Sequence, residues 1–144
     1  MRVFLTLASL LAAVLAMSGA GGSPAVTYVG HDKVAEALAK SGDLVKAPDL
    51  TVLGSHRNAA GQVEVHEKET DVFYVVAGAA TFVTGGTMLG GKTSGPGQMR
   101  GTDIQGGQIH HLSKGDVIVI PAGIPHWFKE VPASISYYVV KVLK

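Results

Sequence analysis

The fourteen residues Gly115–Phe128 constrain the fold more tightly than any other stretch of the chain. Gly115-Asp116 reads as a turn, Val117–Ile120 as an unbroken β-branched run, Pro121-Ala122-Gly123 as a second turn, and His126 opens the next strand. Pro121 presets φ and Gly123 supplies backbone freedom that other residues lack, so the apolar run is expected to end in a tight reversal. The pattern delivers a histidine at a defined point beside a buried strand.

The same rhythm runs through most of the chain. Thr51–Ser55, Gln62–His66, Val72–Ala77, Ala80–Thr84, Ile109–Leu112, Val117–Ile120, Trp127–Lys129 and Ile135–Val142 are β-branched or aromatic runs separated by Gly, Pro, Asn or Asp turns. Many short strands with one weak helix signal predict an all-β sandwich or barrel. With 144 residues, 47% of them apolar, the chain can build one core, so one folded domain is expected over residues 50–144.

Ahead of it, residues 21–49 read as an arm with a short helix over Asp32–Lys40: Asp32 as cap, Gly42 as terminator, and Val34 and Leu38 on one docking face. A packed arm is the expected role, with a substrate lid as the alternative. Thr84–Gly107 holds nine glycines in 24 residues and few large apolar groups, which predicts a long loop or loose hairpin, either a lid or a tolerated insertion.

Residues 1–20 carry the marks of a secretory signal: Arg2, the apolar run Val3–Met17 broken only by Thr6 and Ser9, then Ser18-Gly19-Ala20. The 15-residue run is short of the roughly 20 residues that span a bilayer, so a membrane anchor is the weaker reading. Cleavage after Ala20 would leave a periplasmic or secreted protein starting near Gly21 and free of the membrane. Losing Arg2 takes Lys+Arg from 12 to 11 against 11 Asp+Glu, a net charge of zero, and no basic cluster suggests a nucleic-acid partner. With no cysteine, thiolate metal sites, thiol nucleophiles and lipoprotein anchoring are excluded.

Gly115, Pro121, Gly123 and His126 stand at the spacing of G-x5-P-x-G-x2-H-x3-N, with Glu130 in place of the final Asn. The stretch thus resembles the second motif of the cupin superfamily. That resemblance implies a jelly-roll-type double-stranded β-barrel and, upstream, a first motif H-x-H-x(3–4)-E-x6-G. The best register puts Gly78 at the closing glycine, Asp71 at the glutamate, His66 at the second histidine and Glu64 at the first; Asn58 stands where the opening glycine belongs, with Gly61 three residues later.

What the resemblance implies for function follows from those positions. Residues two apart on a strand share a face, so Glu64 and His66 point inward together. In a cupin barrel these two, Asp71 and His126 converge on one point, giving a ligand set of two imidazoles and one or two carboxylates. It suits one divalent ion such as Fe, Mn, Zn or Ni. Asp71 is one methylene shorter than the family's glutamate and could instead cap a turn. His110 and His111 are neighbours on a strand, so one is expected to face inward, as a further ligand or a catalytic general base; a solvent-facing pair is the alternative. His56 and Arg57 could set a cation at the barrel mouth, where Arg57 would pair with a carboxylate, or lie on the surface. Phe73, Val75 and Phe128 share the inward parity, while Tyr74 and Trp127 should face outward. The expected function is a metal-dependent enzyme acting on a small polar organic molecule. The alternative is a non-catalytic module that captures a carbohydrate or carboxylate. A homodimer is implied by the family alone.

Overall fold

The computed structural model describes residues 25–144; the signal segment expected at 1–20 lies outside them. One helix, α1 (His31–Lys40), is followed by twelve strands: β1 (Gly42–Lys46), β2 (Leu50–Arg57), β3 (Val63–His66), β4 (Glu69–Thr84), β5 (Thr87–Leu89), β6 (Lys92–Gly95), β7 (Gln98–Gly101), β8 (Asp103–Gln105), β9 (Gln108–Ser113), β10 (Val117–Ile120), β11 (His126–Glu130) and β12 (Ile135–Leu143). All the pairings are antiparallel, and the sheet curls into an all-β jelly-roll barrel, as the strand pattern and the cupin resemblance together predict.

The long strand β4 is what closes the barrel. Its first half pairs with β12 and β10, and its second half with β11 and β9. The two runs expected over Val72–Ala77 and Ala80–Thr84 are therefore one strand, bent where it leaves one layer for the other. Gly78 sits at the bend with φ 79°, and a Cβ there would lie 2.0 Å from the carbonyl oxygen of Ser134. Only glycine fits both the backbone and the space. From β4 the order runs outward on one side through β12 and β2 to β1, and on the other through β11, β3 and β7 to β6.

The core fills the space between the layers. Phe73 and Val75 on β4 and Phe128 on β11 are buried, as their parity requires, and Phe82 and Ile135 are fully enclosed. Phe82 and Phe128 meet edge to face at 4.6 Å, and Tyr137 lies 5.0 Å from Phe128 and 5.1 Å from Phe73. Each such ring contributes about 1.5–3 kcal/mol through burial, so this cluster fixes the floor from which site residues project. Tyr74 faces solvent, as expected.

The arm does more than carry a helix: β1 adds an edge strand to β2. Gly30 stands at the start of α1 without a side-chain cap and Ser41, at φ 62°, ends it, so neither Asp32 nor Gly42 takes the terminal position expected of it. Ala37 packs on Gly54 of β2, and a Cβ at 54 would come within 2.8 Å of Ala37. Ser136 donates its hydroxyl hydrogen to the Leu38 carbonyl at 3.0 Å, so the His56 Nδ1–H must be the donor of the 2.8 Å bond to Ser136. Ser136 of β12 thus holds the helix, and His56 of β2 fixes the Ser136 hydroxyl.

The glycine-rich segment is built rather than loose. β6 and β7 form a hairpin, nested between the paired strands β5 and β8, and β7 pairs with β3. Its glycines serve the turns between very short strands. This pairing brings two polar side chains of the segment to the site.

Candidate metal and substrate site

Cross-strand register assembles the site. Glu64 on β3 lies directly opposite His126 of β11 on one side and Arg100 of β7 on the other, and His66 lies opposite Gln98. Directly opposed residues share a face, so all five side chains turn the same way. The turn Pro121–Gly123 then does what its residues dictate. Gly123 takes φ 82° and donates its N–H to the His66 carbonyl at 2.8 Å, which seats His126 at the first position of β11. Asp71, 2% exposed, enters from the start of β4, where its partner on β12 is Lys141.

Two imidazole nitrogens each face the same two carboxylate oxygens. Nε2 of His66 is 3.4 Å from Oε2 of Glu64 and 3.5 Å from Oδ2 of Asp71; Nε2 of His126 is 3.8 Å from each of the same two oxygens. Glu64, His66 and His126 form one group with ligand atoms mutually within 4.8 Å, and His66, Asp71 and Glu69 form another. Glu69, absent from the sequence reading, faces the other nitrogen of His66 at 3.8 Å.

The partners of each ring fix its protons. Nδ1 of His126 meets the Ile124 carbonyl at 3.1 Å, an acceptor, so Nδ1 carries the hydrogen and Nε2 presents a lone pair. That Nε2 is buried and has no hydrogen-bond partner. On His66 the logic passes through Gln98: its amide nitrogen donates to Glu69 at 3.3 Å, so its oxygen faces His66 and accepts from Nδ1–H. Both Nε2 atoms therefore converge with two carboxylates, and acceptors ring the centre.

Electrostatics follow from this arrangement. Burial alone would raise the Glu64 carboxyl, but the contact with His66 and the charge of Arg100 outweigh it and hold the pKa down to about 2. Burial opposes charge on His66, yet Glu64, with Asp71 and Gln98 in support, raises its pKa despite nearby Lys141. His126 is lowered, chiefly by burial, and stays neutral. Lys141 anchors the outer rim, 2.9 and 3.1 Å from the two oxygens of Asp71 and 2.9 Å from Glu69.

Beside these groups opens a cavity of about 120 Å³, lined by Glu64, Asp71 and His126 together with Arg57, Tyr137, Lys141 and apolar side chains of Leu53, Phe73 and Val139. Arg57 thus faces the cavity rather than the outer surface. Trp127 is half-buried at its edge and donates Nε1–H to the Gly61 carbonyl at 2.7 Å, so it does not point freely outward. His110 and His111 are not brought there. His111 is exposed, and His110 shares a separate pocket with Thr84, Ile118 and Ile124, its Nε2 2.8 Å from the Thr84 hydroxyl. Glu130, at the divergent last position of the second motif, accepts from Thr81 at 3.2 Å.

Besides Glu69, sequence reasoning missed Gln98, Arg100 and Lys141 as neighbours of the candidate site. Alternation around Met99 puts Gln98 and Arg100 on one face of an extended segment, a signal hidden by the surrounding glycines. Nothing local marks Lys141, which lies 70 residues from Asp71.

A barrel with a histidine–carboxylate cluster at one end of its core matches a known family. The profile of the cupins covers residues 50–141, and the chain belongs to the cupin family. Solved structures agree on the fold. A Bacillus halodurans protein is 16% identical with a TM-score of 0.58, over 87% of this chain and 85% of that one. KdgF from Halomonas sp. is 20% identical with a TM-score of 0.53, over 72% and 79%. The cupin domain of Cnp3 from Schizosaccharomyces pombe is 13% identical with a TM-score of 0.53, over 72% of this chain and 60% of that one. No curated protein matches the chain in sequence.

Proposed function

We propose that this cupin holds one divalent transition-metal ion through Glu64, His66, Asp71 and His126 and acts on a small polar organic molecule in the adjoining cavity. The observation that carries the reading is the bare Nε2 of His126, buried, neutral and facing only other acceptors. A buried polar atom without a partner costs about 1–3 kcal/mol, which a cation would relieve. A proton on His66 can satisfy Glu64 or Asp71, but it leaves the His126 lone pair unmatched. Each imidazole Nε2 lies 3.4–3.8 Å from both carboxylate oxygens, a spacing that leaves room for one shared ion between them. When bound, the ion would supply Lewis-acid or oxygen-activating chemistry. The chain's own part is to shape the cavity, keep both imidazoles in the Nδ1–H form and balance the carboxylates with Lys141 and Arg100.

The test is metal analysis of the purified protein, followed by titration of metal-free protein with Fe(II), Mn(II), Zn(II) and Ni(II). About one equivalent bound, and lost in His126→Ala, is the expected result. No uptake of any of the four would overturn the metal site. A capture module without catalysis is the second reading, favoured by the placement of His110 and His111 away from the cavity; a metal-loaded protein that binds small molecules but converts none would establish it. Export is part of the proposal and rests on the leader pattern of residues 1–20. Mass spectrometry of the protein from its host should find an N-terminus near Gly21, and an intact Met1 would count against it.

A further inference from the structure

We propose that Arg57 is the anion anchor of the cavity and that its ligand is a short aliphatic carboxylate. The inference rests on reading this cavity as the substrate pocket, and it supplies the substrate class. Arg57 is held in place on three sides. Its Nε donates to the Tyr137 hydroxyl at 3.0 Å, and its guanidinium carbon lies 4.9 Å from the centre of the Phe128 ring. On the third side is Gly61, where a Cβ would stand 2.8 Å from Nη1. A side chain at 61 would push the guanidinium aside, so the glycine leaves the room it occupies.

With Nε taken and its plane fixed, the two terminal nitrogens are the free edge. Among the described residues they make no hydrogen bond; the nearest carboxylate oxygen, on Glu64, is 3.9 Å from Nη2, beyond hydrogen-bond reach. A preorganised guanidinium with two free parallel N–H groups matches a carboxylate. Charge points the same way. In the cluster three carboxylates (Glu64, Glu69, Asp71) face three cations (Arg57, Arg100, Lys141). A divalent ion would leave this balanced set positive by two, which favours an anionic ligand.

Size and lining narrow the class. A cavity of about 120 Å³ is small beside typical ligand pockets and accommodates roughly half a dozen non-hydrogen atoms. Leu53, Phe73 and Val139 offer an apolar wall for a short alkyl part.

Calorimetric titration of metal-free protein with butanoate and with butanamide tests this. Butanoate should bind, butanamide at least tenfold more weakly, and Arg57→Lys, which keeps the charge but loses the fork, should weaken butanoate by about tenfold. Gly61→Ala, which keeps Arg57 but crowds it, should weaken butanoate severalfold and covers the case in which Arg57 variants fold poorly. Equal binding of acid and amide, unchanged affinity in folded Arg57→Lys and Gly61→Ala, or no butanoate binding at millimolar concentrations would overturn the inference. Metal titration of the same samples separates the two readings. Arg57-dependent butanoate binding in a protein that takes up no metal would sink the metal site and leave the anion anchor standing. Metal uptake with butanoate binding indifferent to Arg57 would do the reverse.

Discussion

Lys141 on β12 and Asp71 on β4 are direct cross-strand partners, and the ammonium reaches both carboxylate oxygens, at 2.9 and 3.1 Å. Asp71 is therefore shared: Lys141 holds it from one side, while His66 and His126 face its Oδ2 from the other. This is how a side chain one methylene shorter than the family's glutamate is kept aimed at the centre.

Replacing Lys141 by Met should expose that sharing. It leaves Asp71 and Glu69 without their cation, and breaking a largely buried pair costs about 3 kcal/mol. Urea unfolding of the metal-free variant should show this loss. Zinc or manganese should restore more stability to Lys141→Met than to the parent, because the ion then takes over the uncompensated charge. Equal stabilisation of both proteins would mean that Asp71 belongs to Lys141 alone.

Gln98 offers a test of ring orientation. Its oxygen accepts from His66 Nδ1–H while its nitrogen is tied to Glu69, so it fixes which nitrogen of His66 faces the centre. Outer partners of ligand histidines are worth about tenfold or more in metal affinity. Gln98→Leu should therefore bind metal about tenfold more weakly with its melting temperature nearly unchanged. A variant that melts far earlier yet binds metal normally would assign Gln98 to packing.

Acid should weaken the metal-free protein through Glu64. In the unfolded chain this carboxyl titrates near 4.5, whereas in the folded protein it stays ionised down to about 2. The unfolded state therefore takes up a proton first as pH falls. The stabilisation is fully present above 4.5 and is lost between 4.5 and 2. The shift corresponds to on the order of 2–3 kcal/mol, toward the lower end because Glu64 is partly exposed. Unfolding midpoints near pH 5 and near pH 3 measure it, and Glu64→Gln should flatten the difference. An unchanged slope in that variant would assign the acid sensitivity elsewhere.

What could be read ahead of the structure was what local chemistry decides. The Pro121–Gly123 reversal places His126, and parity two puts Glu64 and His66 on one face. The rest depends on pairing between distant segments. Gln98 and Arg100 reach the site because β7 pairs with β3 in a register that no local pattern encodes. His110 and His111 show the limit of parity: His110 lies opposite buried Phe82, yet it opens on a different pocket. Alternation tells which face a residue takes, not where along the barrel it lies.

His126 allows stability and function to be set against each other. In the metal-free protein its Nε2 is a buried acceptor without a partner, among Phe73 and Phe82 at ring distances of 6.4 and 6.1 Å. Leucine has similar bulk and suits that apolar setting. His126→Leu forfeits the bond to the Ile124 carbonyl, worth about 1 kcal/mol, but removes an unsatisfied atom that costs about 1–3 kcal/mol. The metal-free variant should thus be at least as stable as the parent, while metal uptake is abolished. A group retained at a cost to the empty fold is one kept for a ligand. Loss of more than about 2 kcal/mol in metal-free His126→Leu, in the range of a disrupted core, would instead make His126 a packing residue.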